Sequence, residues 1–384
     1  MERSEDCNSS SALCSCGSVH IKNALIYDSD KRSFFKGGIN AKDGVITGFD
    51  EESDAYDAKG MYIIPGLVDA HTHGRGGFDY NSATLDQMKK MKKLYAEMGV
   101  TTVIPTLASA PFDKLIESID NIKAAGYRGV HIEGRYLNPK KRGAHRLELL
   151  SELDPKEISI LINHAKPLEV HVSAAYELDE NGDFLKTIIK LGGTAGLAHT
   201  EATVDEALNA VENGVTSFTH LFNAMPPLHH RNPGAVCAGL ISDAYTELIC
   251  DGFHLAPQTV KLVCRAKTPE KVVLITDSME GTGCEDGEYS IGGCKVFLKG
   301  GKAYTDEGAI AGSTLELFDG VKNYMSFCGM TFEHTINQAT INPAKMIGID
   351  KLVGSLEKGK AADFCLVSGT GSDFKIEKVF TAEI

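Results

Sequence analysis

Two rhythms of apolar positions divide the chain. Between residues 62 and 278, short continuous apolar runs recur: YIIPGLVDA, TTVIPTLA, GVHIEG, LEVHVSAA, GTAGLAHT, SFTHLFNA, ELICDG and KVVLITDS. Between them lie longer segments, such as LDQMKKMKKLYAEMG, DKLIESIDNIKAAG, DPKEISILINHAK, TVDEALNAVENG and PQTVKLVCRAK. Their apolar residues fall at i, i+3, i+4 spacing, and several end in Gly, as helix C-caps do. Runs that are apolar throughout are strands buried on both faces, the condition of a parallel sheet covered by helices. Eight strand-helix units of this kind predict a closed (β/α)8 barrel of the TIM type. The two ends of the chain have another texture, with short β-type runs punctuated by Gly, Asp and Asn: VHIKNALIYD, FFKGGINAKDG and VITGFD at the start, ADFCLVSG and FKIEKVF at the finish. They predict one small β-sandwich domain formed from both termini. The expected division is a disordered tail over 1–18, a small β-sandwich from 19–63 and 350–384, and the barrel over 64–349.

Composition narrows the possible partners. An apolar fraction of 42% and a charged fraction of 24% over 384 residues are those of a globular protein with a full-sized core. The formal net charge of −13 argues against a nucleic-acid surface, which needs a compensating basic field. A small anionic substrate needs only one or two local cations and stays open. No apolar stretch approaches a membrane span, and the N-terminus lacks the apolar core of a signal peptide, so the expected location is the cytoplasm. Of the ten cysteines, Cys7, Cys14 and Cys16 lie in the Ser-rich start. Cys237, Cys250, Cys264, Cys284, Cys294, Cys328 and Cys365 are scattered without paired spacing and read as free thiols.

The polar residues that end the apolar runs carry the chemistry. His71 and His73 close the first run, Glu133 the third, His199 the fifth, His220 the sixth and Asp277 the eighth. The C-terminal ends of barrel strands converge on one mouth, where active sites of this fold lie. A single histidine at a strand end is more often a satisfied core residue than a ligand. Six metal-compatible groups on five strand ends make that bland reading untenable. In PGLVDAHTHG the two histidines are two residues apart, so a strand projects both to one face. With a carboxylate and further histidines from neighbouring strands they make a nitrogen and oxygen site suited to one or two divalent ions such as Zn, Fe or Mn. Such an ion acidifies water and polarises the carbonyl under attack. Asp277 is placed to take the proton of that water and return it to a leaving nitrogen. As a salt bridge or helix cap ahead of Ser278 it would have no such role.

The motifs PGLVDAHTHG, HIEGRYLNPKKRGAH, LAHTEA, THLFNAMPPLHHRNPG, CDGFHLAP, LITDSMEGTG and AGSTL occur in one order over roughly residues 20–370. In that order they resemble the N-acetylglucosamine-6-phosphate deacetylase family of the amidohydrolase superfamily. The resemblance implies metal-dependent hydrolysis of the N-acetyl group of N-acetylglucosamine 6-phosphate, giving glucosamine 6-phosphate and acetate, in amino-sugar catabolism. It implies that Glu133, His199 and His220 hold the metal common to the family. His71 and His73 then match the pair found where a second ion is held, Glu133 bridges the ions, and Asp277 is the catalytic acid and base near the first. His145 matches a residue that orients or polarises the acetyl carbonyl. Asn223 and Ala224 match a sugar-phosphate loop, and His254 a sugar contact. Arg231 matches a residue that grips phosphate, often across a homodimer, a role suited to a bidentate guanidinium. Without the flanking motif it would read as a surface arginine.

The chain departs from the family pattern at Arg135 after HIEG, in the RLELL that follows His145, and at Glu316 in AGSTLELFDG. Arg135 and Arg142 are expected in the loop that approaches substrate, so the departures bear on which phosphosugar is used. The alternatives are N-acetylgalactosamine 6-phosphate or another N-acylated phosphosugar, and a non-catalytic sugar-phosphate binder. The binder predicts loss of a ligand or of the acid-base group, and all six are present. Cyclic-amide hydrolases share H-x-H and the final Asp but bridge their metals through a lysine on strand four, where LEVHVSAA offers His171 instead. His171 reads as a core histidine rather than a ligand.

Overall fold

The computed structural model describes residues 13–15 and 17–382. The apolar runs form one sheet in chain order: Leu67–Thr72, Val100–Leu107, Gly129–Glu133, Glu169–Ala174, Thr194–Leu197, Ser217–Phe218, Tyr245–Ile249 and Val272–Ile275. Every neighbouring pair is parallel. The first and last strands meet just past their ends. Asp277 N donates to His71 O at 2.9 Å, and His73 N donates to Ser278 O at 2.8 Å. The sheet therefore closes into the expected (β/α)8 barrel.

A helix follows each strand: Leu85–Glu97, Phe112–Ala124, Pro155–Ala165, Asp183–Lys190, Val204–Glu212, Gly234–Ile241, Pro257–Ala266 and Leu317–Cys328. Local chemistry fixes several starts. Thr84 with Gln87, and Thr203 with Glu206, form reciprocal capping boxes, and the Asp154 side chain accepts from Lys156 N ahead of Pro155. Gly234–Ile241 has no polar face because it is buried almost all round, so no amphipathic period marks it in the sequence. Along the strands, outward positions such as Val130, Ile132, Val170 and Val172 join the main apolar core. The alternate positions point inward. There His131 Nε2 meets Ser173 Oγ at 2.7 Å, and Ser173 Oγ meets Thr219 Oγ1 at 2.7 Å. The barrel interior below the mouth is thus a hydrogen-bonded polar layer.

The first apolar run divides in two. Tyr62–Pro65 pairs with Phe364–Ser368 in a second sheet, and only Leu67–Thr72 enters the barrel. The chain turns between them at Gly66, where a Cβ would lie 2.0 Å from Thr101 Oγ1, so only glycine fits. The second sheet runs Leu13–Ser15, Lys375–Thr381, Phe364–Ser368, Tyr62–Pro65, Ser18–Asp28, Ser33–Lys42 and Val45–Gly48, with Tyr56–Asp57 on Ser18–Asp28. It curls back on itself, since Ile46 N donates to Lys360 O and Gly359 N to Ile46 O, both at 2.9 Å. Ile21, Ile26, Ile39, Ile63, Phe364 and Phe380 fill the space enclosed. Of the expected disordered tail over 1–18, residues 1–12 and 16 lie outside the described residues, and the remainder is corrected. Leu13–Ser15 is a strand parallel to Val379–Thr381, and Ser18 already belongs to the next strand. Cys7 and Cys16 lie outside the described residues.

An element the apolar pattern did not separate follows strand eight. Gly287–Ile291, Cys294–Lys299 and Lys302–Thr305 form an antiparallel meander ahead of the eighth helix. Its turns are the pairs Gly292-Gly293 and Gly300-Gly301, all at positive φ, as tight hairpins require. Among the described residues no helix is long and apolar enough to cross a membrane.

Candidate active site

The six strand-end residues come together at the C-terminal mouth of the barrel. His71 lies within strand one and Glu133 ends strand three. His73, His199, His220 and Asp277 lie just past the ends of strands one, five, six and eight. His199, His220 and Asp277 hold φ of 45°, 33° and 49°. Non-glycine residues in the left-handed region cost of order 1–3 kcal/mol each and concentrate where function demands a fixed aim.

Glu133 is the hub. Its Oε1 lies 2.8 Å from His220 Nε2 and 3.3 Å from His199 Nε2, and those two nitrogens are 3.1 Å apart. Its Oε2 lies 3.0 Å from His73 Nε2 and 3.5 Å from His71 Nε2. The same two nitrogens lie 3.3 and 3.5 Å from Asp277 Oδ1. Ligands about 2.0–2.2 Å from a tetrahedral ion sit roughly 3.3 Å from one another, so both groups have the spacing of a metal shell. His71 Nε2 is buried without a hydrogen-bond partner, an orphan that a cation would satisfy. Two metal-compatible triads are present among the described residues, His71 with His73 and Glu133, and Glu133 with His145 and His199. The donor set fits divalent ions, with one oxygen of Glu133 for each side.

The charges agree. Burial opposes ionisation of Glu133 and Asp277, yet the facing histidines hold both carboxyls below their ordinary range. Burial likewise opposes protonation of His73, but Asp277 and Glu133 outweigh it and raise its pKa to about 9. Without an ion, the cluster stores protons where cations would bind.

Several partners aim the rings. His199 Nδ1 donates to the Lys141 carbonyl at 2.7 Å, leaving Nε2 for the site. His71 Nδ1 lies 3.2 Å from Glu247 Oε2. His145 is held by Ser109, whose backbone N and Oγ lie 3.3 and 3.0 Å from Nδ1. Because Ser109 N–H donates, Nδ1 accepts, and the proton of the neutral ring sits on Nε2, facing the pocket. Burial, then the positive field of His199, pushes the pKa of His145 down to about 3, which keeps the ring neutral. His254 Nδ1 meets Asp251 Oδ2 at 2.6 Å. Sequence reading did not single out Glu247, Ser109 or Asp251. Glu247 left a signal as a carboxylate inside an apolar strand, and Asp251 as the carboxylate that closes the seventh run, ELICDG.

A cavity of about 440 Å³ opens over the cluster. It is lined by His73, Glu133, His145, His199, His220, Asp277, Asn223, Ala224 and His254, all singled out from sequence. Lys140, Lys141, Phe222 and Ile310 also line it, as do Ile291 and Gly292 of the meander, none of them anticipated. Arg231 is not brought there. It is exposed, and its guanidinium donates to His230 Nε2 at 2.8 Å.

The arginines expected near substrate are turned aside. Arg135 is bound by Glu157, at 3.0 and 3.3 Å, and by the Ala110 carbonyl. Arg142 pairs with Glu307 at 2.8 Å. Glu316 receives both ends of the buried Arg75 guanidinium at 2.9 Å, so this departure is a structural ion pair. His171 is a core residue, bonded to Thr194 Oγ1 at 2.8 Å and 3.3 Å from Ser217 Oγ.

The profile of the Amidohydrolase family matches residues 62–382. The chain is 34% identical to N-acetylglucosamine-6-phosphate deacetylase of Vibrio furnissii over 337 residues, 85% of this chain and 84% of that protein. It is also 34% identical to N-acetylgalactosamine-6-phosphate deacetylase of Escherichia coli O157:H7, over 78% of this chain and 82% of that one. Among solved structures, a mutant of the Mycobacterium smegmatis N-acetyl-D-glucosamine-6-phosphate deacetylase in complex with N-acetyl-D-glucosamine-6-phosphate superposes with a TM-score of 0.88. It is 27% identical, with 96% of this chain and 98% of that one covered. The enzyme of Pasteurella multocida gives a TM-score of 0.85 at 26% identity, over 94% and 100%. The chain belongs to the metal-dependent amidohydrolase family, and the two relatives at 34% identity are deacetylases of N-acetylhexosamine 6-phosphates.

Proposed function

We propose that the protein hydrolyses the N-acetyl group of N-acetylglucosamine 6-phosphate to glucosamine 6-phosphate and acetate, using two divalent ions of the zinc, iron or manganese type. The observation that carries this reading is Glu133, each of whose oxygens is shared with a separate pair of histidines beneath one cavity. Glu133, His199 and His220 would hold the first ion and His71, His73 and Glu133 the second, with Asp277 beside the second, 3.3 Å from His73 Nε2, rather than near the first as the resemblance implied. When bound, these ions acidify the attacking water and polarise the amide carbonyl.

The chain's own groups do the rest. Asp277, held ionised, accepts the proton of the attacking water and delivers it to the amide nitrogen as the C–N bond breaks. His145, with its proton on Nε2, donates to the acetyl oxygen as charge develops there. Asn223, Ala224 and His254 position the sugar phosphate. Lys140 supplies positive charge at the rim, where Lys141 is already paired with Glu201 at 3.1 Å, and Arg231 serves the cavity of a second subunit in a homodimer. In this reading the barrel over 64–349 carries all the chemistry. The reaction is placed in the cytoplasm, in keeping with seven free cysteines among the described residues.

Purified protein loaded with zinc or manganese is expected to release acetate from N-acetylglucosamine 6-phosphate. Chelation should lower the rate at least ~100-fold, and added metal should restore it. The Escherichia coli relative makes the galactosamine epimer the second reading. We expect kcat/KM to favour the glucosamine substrate by at least about tenfold, because a site built around one hydroxyl leaves polar groups unpaired with its epimer. The opposite ratio transfers the assignment to the epimer. Lys140→Ala should raise KM about tenfold with kcat within about twofold, the signature of a contact equally strong in ground and transition states. An unchanged KM removes Lys140 from the phosphate site.

A further inference from the structure

Glu247 is a fully buried carboxylate on strand seven, outside both groups of ion-binding atoms. One of its oxygens, Oε2, lies 3.2 Å from His71 Nδ1 and also accepts from the backbone N–H of His220 at 3.2 Å. The other, Oε1, is buried with no partner. Among the described residues no Lys or Arg is paired with it. A carboxylate held in such surroundings costs several kcal/mol unless something answers its charge, so its position calls for an explanation beyond packing.

The two atoms it touches supply one. A neutral imidazole has a single proton, and the nitrogen that keeps it is set by the partner of that nitrogen. With Glu247 as acceptor the proton of His71 stays on Nδ1. The lone pair of Nε2 then points between Glu133 Oε2 and Asp277 Oδ1, each 3.5 Å away, where Nε2 has no hydrogen-bond partner. The second contact supports His220, whose backbone is strained at φ 33° and whose Nε2 lies 2.8 Å from Glu133. One buried side chain thus aims a histidine on each side of the Glu133 hub.

We propose that Glu247 is a positioning residue that fixes the His71 ring with Nε2 toward the site and thereby sets the affinity for the ion on the His71–His73 side. The proposal rests on the two-ion reading above. The acceptor, rather than the charge as such, is what acts. In Glu247→Gln the amide oxygen takes the place of Oε2 and still accepts from His71 and His220, whereas Glu247→Leu removes the acceptor.

Metal-stripped wild type, Glu247→Gln, Glu247→Leu and His71→Ala are titrated with zinc by calorimetry, with bound zinc measured by elemental analysis. Two ions are expected in the wild type. Glu247→Leu should bind the weaker of them 10–100-fold less tightly, the range found when a ligand histidine loses its supporting partner, and should approach His71→Ala. Glu247→Gln should recover the wild-type value to within about threefold, which a residue needed only for its charge would not do. Two ions of unaltered affinity in Glu247→Leu would overturn the proposal, and so would a Gln variant as weak as the Leu variant. A single ion in wild type and His71→Ala alike would overturn the two-ion reading instead. The proposal falls with it, because no ion is then held on the His71–His73 side, whereas two ions of unaltered affinity in Glu247→Leu leave that reading standing.

Discussion

Replacing Asp277 by Asn is expected to lower kcat for acetate release about 10²–10⁴-fold, the range general acid-base catalysis contributes, with KM within about threefold. Asn keeps the size and one oxygen of the side chain but cannot take a proton. The prediction separates chemistry from binding because Asp277 meets the site through Oδ1, 3.3 Å from His73 Nε2 and 3.5 Å from His71 Nε2, and an amide oxygen can occupy that place. The left-handed backbone at Asp277 tolerates Asn well, since Asn and Asp are enriched there. The strut from Ser313 N to the Asp277 carbonyl is main chain and survives the change. Steady-state kinetics with metal content measured in parallel decide the matter. Turnover within tenfold of wild type at equal metal content removes Asp277 from the proton path.

The site was legible in the sequence wherever a strand end announced it. In a parallel barrel the apolar runs mark the strands, and any His, Glu or Asp that closes such a run must face the mouth. That logic reaches His71, His73, Glu133, His199, His220 and Asp277 from the order of residues alone. It failed where function depends on a partner's geometry. Glu247 sits inside a strand, and its meaning appears only once His71 is seen 3.2 Å away. Ser109 acts through a backbone N–H as well as its hydroxyl, and a backbone donor has no letter in a sequence. The meander is hidden for another reason: its two Gly-Gly turns are ordinary hairpin signals, but they follow the eighth apolar run, in a stretch that the strand-helix rhythm assigns to the barrel. Arg135 and Arg142 show the converse error, since proximity of a cation to a substrate loop in sequence does not reveal that Glu157 and Glu307 already hold it.

Glu133→Gln should be the most damaging single change. The carboxylate gives one oxygen to each side of the site, whereas the amide has one oxygen and one NH2 group. Whichever way the amide turns, its donor end faces a pair of histidine nitrogens and the place of a cation. We expect at most one ion to remain and kcat/KM to fall by at least ~10⁴-fold, without rescue by excess metal, because both water activation and carbonyl polarisation are lost together. The stripped proteins provide a second, independent reading. In metal-free wild type the pKa of His73 is raised to about 9, burial opposing the charged form while Asp277 and Glu133 outweigh it; His71 and His220 shift in the same direction. A raised folded-state pKa contributes stability that is fully present below the unfolded value of about 6.5 and is lost as pH rises through the folded value. Chelated wild type should therefore lose stability between pH 6.5 and about 9, by a few kcal/mol for a shift of this size. In Glu133→Gln that decline should be markedly smaller, since the neutral amide no longer holds the histidine protons. Urea unfolding of both proteins across that range measures the difference, and parallel curves would mean that Glu133 is not the charge on which the cluster is built.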